Sequence, residues 1–517
     1  MYKLGIDVGG TNTDAVLVDE NRAVVADIKY PTSADIYDGI LGAMRTVLEV
    51  SGVDPAQIHQ AMLGTTQCTN AIVERKNLAP IGILRIGAPA TVGIPPMVDW
   101  ADDIAAVCVD SLIIEGGFEY DGKRLAEFDE AACRAFFEGV KGRVEAVAVS
   151  SVFSTVRNDD ELRAATIARE VLGEDVHVSI SSEIGSMGLI ERENATILNA
   201  ALYDVARTTA DSFEAALASE GLADVAVYLG QNDGTLMSVD YAKRYPIFTI
   251  ACGPTNSIRG ASYLSSLKDA IVVDVGGTTT DLGVIQNGFP RESSVAVTIG
   301  GVRTNFRMPD LVSVGLGGGS LVRQLEDGSV TVGPDSVGYL VTKKARCFGG
   351  DTLTATDIVV AKGLAEGVGD PTLVADLEPA LVDAAYAEIT RIIEDAVDAM
   401  KTSAGDVTVI LVGGGSILAP DQLEGSDNVL RPENFGVANA VGSAIAQVSG
   451  QIAKVFSLTE TPREQALAES KQRACDEAIE AGADPSTVEV VDVEDIPMAY
   501  LGDALCIRVK AVGDLML

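Results

Sequence analysis

The chain has 517 residues, 47% of them hydrophobic and 22% charged, and its 75 acidic against 38 basic side chains leave a net charge of −37. This length exceeds one hydrophobic core and points to about two to four domains, and the composition excludes a disordered chain. The acidic balance excludes a basic nucleic-acid face, no uninterrupted apolar run reaches the roughly 18 residues of a membrane helix, and the N-terminus enters a strand directly without a signal-peptide pattern, so a cytoplasmic protein that binds neither nucleic acid nor membrane is expected.

In chain order, a short apolar run over residues 4–6 leads into DVGGTNTD, Asp7 to Asp14, and residues 15–18 are apolar again. This is the pattern of strand, tight glycine turn and strand. Gly9 and Gly10 leave backbone N–H groups open to an anion, and Thr11, Asn12 and Thr13 add side-chain donors. Asp7 ends its strand where a carboxylate can hold Mg²⁺ through water. A strand over 24–30 follows, then a helix over 36–51 that Gly52 ends. Residues 62–76, MLGTTQCTNAIVERK, read as strand, turn and helix. Their Thr65, Thr66, Thr69 and Asn70 either cap the helix or line a polar substrate pocket, and the local pattern serves both. Strands and helices then alternate to residue 181, as in an α/β domain, with a boundary at SSEIGSMG, 181–188.

An amphipathic helix is expected over 191–220. The turn ACGPTNS, 251–257, opens a helix whose N-terminus is either an anion site or an ordinary cap. Asp274 to Asp281 then reads DVGGTTTD between apolar runs and repeats the first loop at every position but one. Gly276, Gly277, Thr278, Thr279 and Thr280 are the matching phosphate donors, and Asp274 is the matching metal-holding carboxylate. Asp14 and Asp281 are expected to brace their loops by accepting hydrogen bonds from backbone N–H groups or threonine hydroxyls. In GLGGGS, 315–320, Gly317 and Gly318 imply that backbone passes close to a ligand or to a neighbouring strand. Gly413, Gly414 and Gly415 follow a buried strand over 407–412 and suit a nucleotide base or ribose lying against bare backbone. Small residues at 438, 440, 442 and 444 suit close helix packing. A charged helix over 461–481 and strands near 488–493 and 504–512 form a small appended α+β unit.

Seven cysteines contain no CxxC pair, and the two histidines, His59 and His177, are far apart. A disulfide framework, a structural zinc site and a Ser-His-Asp triad are therefore not expected. Cys68 and Cys252 lie in the motifs just described and read as packing or as cleft residues.

Two DxGGT loops in duplicated halves, with a late strand-GGG turn, resemble the actin, Hsp70 and sugar-kinase superfamily. The closer resemblance is to the hydantoinase/5-oxoprolinase family and its ATP-binding A subunit. GTTQCTNAIVER (64–75) is similar to the family's HGTT-x-x-TN-A-x-x-ER block, IERENATILNA (190–200) to its ER-x-x-T-x-x-NA block, and CGPTNS (252–257) to its SGPA-G turn. IVVDVGGTTTDLGVI and VGLGGGS match later blocks. Leu63 stands where the family usually has histidine, Thr255 where it has alanine, and VGYLVTKKARCFGG replaces a stretch rich in Pro and Gly. These departures bear on the substrate more than on the nucleotide.

The resemblance implies an α/β fold of duplicated ribonuclease-H-like domains, 1–185 and 186–456, with a nucleotide cleft between them and a C-terminal α+β unit at 457–517. It implies ATP and Mg²⁺ as cofactors, with Asp7 and Asp274 as catalytic and metal-holding residues. The implied activity is ATP-dependent hydrolysis of a small cyclic amide (a hydantoin, oxoproline or other lactam) through phosphorylation of the amide oxygen. The chain would be the ATP-binding subunit of an oligomer with a hydantoinase B-like or other amidohydrolase partner. The alternatives are a subunit of an ATP-dependent ketone carboxylase, a small-molecule kinase and a non-catalytic ATP-binding module.

Overall fold

The computed structural model describes residues 1–10, 12–32, 35–293, 296–459, 461–498 and 503–516. Strands β1 (Tyr2–Val8) and β2 (Asn12–Asp19) form the first hairpin, β3 (Val24–Pro31) pairs antiparallel with β2, and β4 (Ile58–Thr65) lies parallel to β1. The helix Ile36–Ser51 is specified locally. Asp35 accepts from the Tyr37 N–H at its start, and Gly52, at φ 64°, closes it by donating to the Leu48 carbonyl at 3.0 Å. Its buried Ile40, Met44 and Val47 recur at helical spacing and share a core with Leu4, Ile6 and Leu63.

Next, β5 (Ile81–Ala88), β6 (Cys108–Glu115), β7 (Ala146–Ser151) and β8 (His177–Ile180) build a separate parallel sheet in the order β6-β5-β7-β8. Only then does β9 (Ala226–Gly230) lie parallel beside β4, followed by β10 (Leu236–Ser238). The order β3-β2-β1-β4-β9, antiparallel on one side of β1 and parallel on the other, is that of a ribonuclease-H-like sheet.

The second half repeats it. Strands β11 (Ala270–Val275) and β12 (Thr280–Gln286) form the second hairpin, followed by the short β13 (Phe289–Pro290). After the hairpin of β14 (Val297–Ile299) and β15 (Val302–Thr304) comes β16 (Leu311–Val314), and β13 and β16 both pair antiparallel with β12. A further hairpin joins β17 (Ser320–Gln324) and β18 (Val330–Ser336). Parallel to β11 then lie β19 (Val407–Val412) and, beyond it, β20 (Ser426–Leu430). Its core sets Val273, Leu282 and Leu411 against Ile389, Ile393 and Val397 of the helix Pro379–Met400. The fold is thus the duplicated α/β type expected.

The division of the sheets differs from the division of the sequence at 185 and 456. β9 and β10 lie beyond residue 185 yet belong to the first sheet, because β5 to β8 form a sheet of their own and leave the edge of β4 to be covered from further along the chain. Strands β21 (Val448–Ser457), β22 (Glu489–Pro497) and β23 (Ala504–Gly513) extend that same sheet to nine strands, with β21 beside β10. The C-terminal unit is therefore part of the first half's sheet. The single helix expected over 191–220 is two, Leu189–Ala201 and Tyr203–Ser219, the first packed on β7 and the second on the helix Ile36–Ser51.

Two helices cross between the sheets: Cys252–Ser265 leads from β10 to β11, and Ala438–Ile445 from β20 to β21. They interlock at glycines. A Cβ at Gly260 would fall 1.8 Å from the Ala438 carbonyl oxygen, and one at Gly442 1.9 Å from that of Asn256. Among the described residues no helix is long and apolar enough to cross a membrane.

Because the Gly442 contact is with backbone, which cannot swing aside, Gly442→Ala is expected to lower stability by about 2 kcal/mol or more in urea denaturation. A change within about 0.5 kcal/mol would show that the crossing helices have slack.

Candidate functional site

The two hairpin loops are closed alike. Gly9 donates its N–H to the Asn12 carbonyl at 3.0 Å and Gly276 to the Thr279 carbonyl at 2.9 Å. Among the described residues the N–H groups of Gly10, Gly277 and Thr278 make no hydrogen bond, and a Cβ at Gly10 would meet nothing within 4 Å. Each loop therefore presents open backbone donors. Thr11 lies outside the described residues. Thr278 and Thr279 are exposed and Asn12 is half-buried, but Thr13 and Thr280 are wholly buried. Strand alternation turns these last two inward. The Thr280 hydroxyl donates to the Leu316 carbonyl at 2.7 Å, and the Thr13 hydroxyl is enclosed away from the loop surface. Neither is placed to reach a ligand, contrary to the expectation from sequence.

Register sets the aspartates in two lateral rows: Gly64, Asp7, Asp14 and Lys29 across β4, β1, β2 and β3, and Val412, Asp274, Asp281 and Ser313 across β19, β11, β12 and β16. Directly paired residues share a face of the sheet, so each hairpin sets two carboxylates side by side. Glycine makes room for them. A Cβ at Gly64 would stand 2.1 Å from Asp7 Oδ1, and one at Gly413, itself at φ 84°, 2.1 Å from Asp274 Oδ1. Both oxygens of Asp14 accept from Lys29 Nζ at 2.9 Å, and Asp281 is hydrogen-bonded to Ser313. Asp14 and Asp281 thus take their partners from the strand beside each hairpin, β3 and β16, and not from their own loops, which corrects the bracing role expected of them.

The crossing helices complete the site. Asn256 Nδ2 donates to Asp7 Oδ1 at 3.3 Å, the adjacent Ser257 hydroxyl donates to Asp274 Oδ2, and Asn439 Nδ2 donates to Asp7 Oδ2 at 3.0 Å. Two consecutive residues of one helix therefore hold the aspartates of both halves. That helix starts at Cys252, so CGPTNS forms its first turns and not a preceding loop; the chain reverses at Ala251, at φ 65°. Burial, reinforced by the charge of Asp14, raises Asp7 from 3.8 to about 6 against the two amide donors. Burial also raises Asp274, opposed by Ser257 and Lys29, and it raises Asp281 to about 6, with the Asp274 charge adding to it.

The polar block after β4 adjoins this site. The Thr65 N–H donates to Cys252 Sγ at 3.3 Å and its carbonyl accepts from that thiol at 3.0 Å, while the Thr66 hydroxyl donates to the Val8 carbonyl at 3.3 Å. Thr69 Oγ1 accepts from the Ala251 N–H at 3.3 Å, and Asn70 Nδ2 donates to Thr66 Oγ1 at 3.4 Å. Thr65 is buried; Thr66, Thr69 and Asn70 are half-buried and tie the end of β1 to the start of the crossing helix. Burial pushes the Cys68 thiol up to about 11 and that of Cys252 up to about 12, so both are packing thiols at neutral pH.

The late glycines serve the second loop. Gly318 and Gly319 donate to the Gly276 and Gly277 carbonyls at 3.0 and 2.8 Å, and a Cβ at Gly317 would fall 2.5 Å from the Thr278 nitrogen. Of the two readings open for this stretch, close approach to a neighbouring segment is the one observed. Gly415 likewise donates to the Val275 carbonyl at 2.7 Å, whereas the open side of Gly414 faces the stem of Lys29. Lys29, Asn256, Ser257 and Asn439 escape the sequence reading. Asn256 and Ser257 lie in a stretch singled out for another reason, and the other two carry no local signal.

A family model for the hydantoinase/oxoprolinase N-terminal region matches residues 3–172, and one for hydantoinase/oxoprolinase matches residues 192–367. The chain is 26% identical over 479 residues to the caprolactamase subunit alpha of Pseudomonas jessenii, covering 86% of this chain and 65% of that protein. Its fold is similar to the crystal structure of the ATP-dependent caprolactamase from Pseudomonas jessenii, at TM-score 0.77 and 21% identity, and to nucleotide-free acetone carboxylase, at TM-score 0.71 and 19% identity. Each structural match covers 100% of this chain and 88% of the other. The chain spans 56% and 65% of the length of two curated relatives it matches, so they are substantially longer.

The Asp7 environment has a measurable consequence. Native Asp7 keeps its proton to about pH 6 and the unfolded residue loses it near 3.8, so the native state binds more protons in between and stability falls as pH rises through that window. Asp7→Asn is expected to remove on the order of 2 kcal/mol of the wild-type loss between pH 4 and 6.5, read by urea denaturation along a pH series. Parallel pH profiles for the two proteins would contradict the electrostatic account.

Proposed function

The chain belongs to the hydantoinase/oxoprolinase family, and from that premise we propose that it is the ATP-binding subunit of an enzyme that hydrolyses a small cyclic amide at the expense of ATP. The observation that carries the reading is the pair of open glycine loops whose aspartates, Asp7 and Asp274, are held by successive residues of one helix. A polyphosphate lying between the loops would meet backbone N–H donors from both halves, the recognition an acidic protein needs in place of a basic surface.

The donor set fits a divalent ion. Asp7 and Asp274 offer hard oxygen ligands, and among the described residues there is no group of three or more His, Cys, Asp or Glu side chains able to cage a metal. An ion here would draw its other ligands from water and phosphate, which is the habit of Mg²⁺. When bound, it would neutralise charge on the phosphates and on the two carboxylates.

ATP suits this chemistry because amide resonance makes a lactam carbonyl a poor electrophile. The amide oxygen accepts the γ-phosphoryl group, ADP leaves, and water adds to the activated carbon. The ring nitrogen departs as the amine after gaining a proton, and the acyl phosphate left behind is hydrolysed by a second water to carboxylate and phosphate. The chain's own part is positioning: the loops orient the phosphates, Asn256 and Asn439 fix the Asp7 carboxylate, and Ser257 fixes that of Asp274. In this reading Thr65, Thr66, Thr69 and Asn70 serve the substrate end. The reading includes a cytoplasmic location and a partner subunit of the hydantoinase B type for the hydrolytic steps.

Sequence likeness to the acetone carboxylase beta subunit of Xanthobacter autotrophicus, 24% identical over 400 residues, supports a second reading, in which ATP activates a ketone and bicarbonate. With candidate lactams, ATP turnover by the chain and its partner is expected to rise by about tenfold or more, with one ADP and one phosphate formed per ring-opened amino acid. Turnover that responds only to a ketone with bicarbonate would replace this reading with the carboxylase, and a stable phosphoester product would replace it with a kinase.

A further inference from the structure

We propose that Lys29 is the phosphate-neutralising cation of the cleft, carried by the first half and reaching the glycine turns of the second. The inference rests on the nucleotide reading above and adds a residue to it. Among the described residues Lys29 is the one cation in ionic contact with any of the four aspartates of the two rows, through Asp14 at 2.9 Å, and its charge also opposes the rise of Asp274. The corresponding row position of the other half is Ser313, so the duplication supplies a single cation and places it on one side.

Three features suit Lys29 to an anion and not only to Asp14. An ammonium group has three N–H donors, and Asp14 takes two of them. The side chain is 35% exposed, although Asp14 itself is buried. Its stem also lies over bare backbone of the second half. A Cβ at Gly414 would stand 3.5 Å from Lys29 Cε and 3.9 Å from Nζ, and one at Gly436 would stand 3.6 Å from Cε. A Cβ at either position would therefore stand in ordinary van der Waals contact with the lysine stem. The strand that carries Lys29 is also fastened to the first loop, because the Thr32 hydroxyl donates to the Gly9 carbonyl at 2.9 Å. With the third donor turned to a phosphate oxygen, Lys29 would neutralise the ligand while still holding Asp14.

The test is calorimetric binding of MgATP, MgADP and adenosine to the full chain, comparing wild type with Lys29→Met and Lys29→Arg, each checked for folding by thermal unfolding. Lys29→Met is expected to weaken MgATP and MgADP by about tenfold to a hundredfold, to leave adenosine within about twofold, and to be largely rescued by Lys29→Arg. A purely structural partner of Asp14 would weaken all three ligands alike. That result, or MgATP binding within twofold of wild type in Lys29→Met, would overturn the inference and leave the nucleotide reading standing. If wild type binds no adenine nucleotide, the reading falls and the inference with it. Should Lys29→Met fail to fold, the double variant Asp14→Asn/Lys29→Met, which removes both charges of the pair, carries the same comparison.

Discussion

Each hairpin of this protein sets two aspartates directly opposite one another, buried in the first half and half-buried in the second, and much of the surrounding architecture compensates for that. Like charges paired across a ladder repel, and burial penalises each of them separately. The upward shifts of Asp7 and Asp281 to about 6 record both effects. The compensation arrives from other elements: Lys29 for Asp14, Ser313 for Asp281 and Ser257 for Asp274 from neighbouring segments, and Asn256 with Asn439 for Asp7 from far along the chain. Three of these donors sit on the crossing helices. They reach the carboxylates because Gly260 and Gly442 let those helices lie against each other with no side chain between them. Close packing and electrostatics are in this sense one requirement.

The duplication is faithful in the loops and unfaithful around them. Gly9 and Gly276 close the same turn, and Gly64 and Gly413 clear space for equivalent carboxylates. Yet the strand beside the hairpin supplies a lysine on β3 and a serine on β16, and among the described residues the second loop alone is backed by a glycine-rich segment, whose Gly318 and Gly319 donate to it. A repeat whose halves have diverged in this way suits a ligand with different ends, which two identical loops would not distinguish.

The parts legible from sequence were those encoded over short spans. Strand, glycine turn and strand in each hairpin, the helix capped by Asp35 and Gly52, and the strand Val407–Val412 all follow from neighbouring residues, and the repeated octapeptide announces the duplication. What was not legible depends on register between distant segments. Nothing near Lys29 states that it will face Asp14, and nothing near Asn439 states that it will reach Asp7, since those meetings are settled by strand pairing and helix crossing. The placement of β9 and of β21 to β23 in the first sheet is of the same kind: adjacency in a sheet is not adjacency in the chain. Thr13 and Thr280 differ from the expectation because the repeated motif runs past its loop into a strand, where alternation turns the side chain inward.

If the loops form one bipartite site, Asp7 and Asp274 should act as a unit. The most direct measurement is the affinity for MgATP of wild type, Asp7→Ala, Asp274→Ala and the double variant, taken as a double-mutant cycle on folded proteins. Each single change is expected to weaken binding by about a hundredfold or more, and the double variant to lose no more than about twofold beyond the weaker single variant, because one broken half already dissolves the site. Losses that simply add, or a single variant that binds as tightly as wild type, would mean that each loop works alone and would contradict the account.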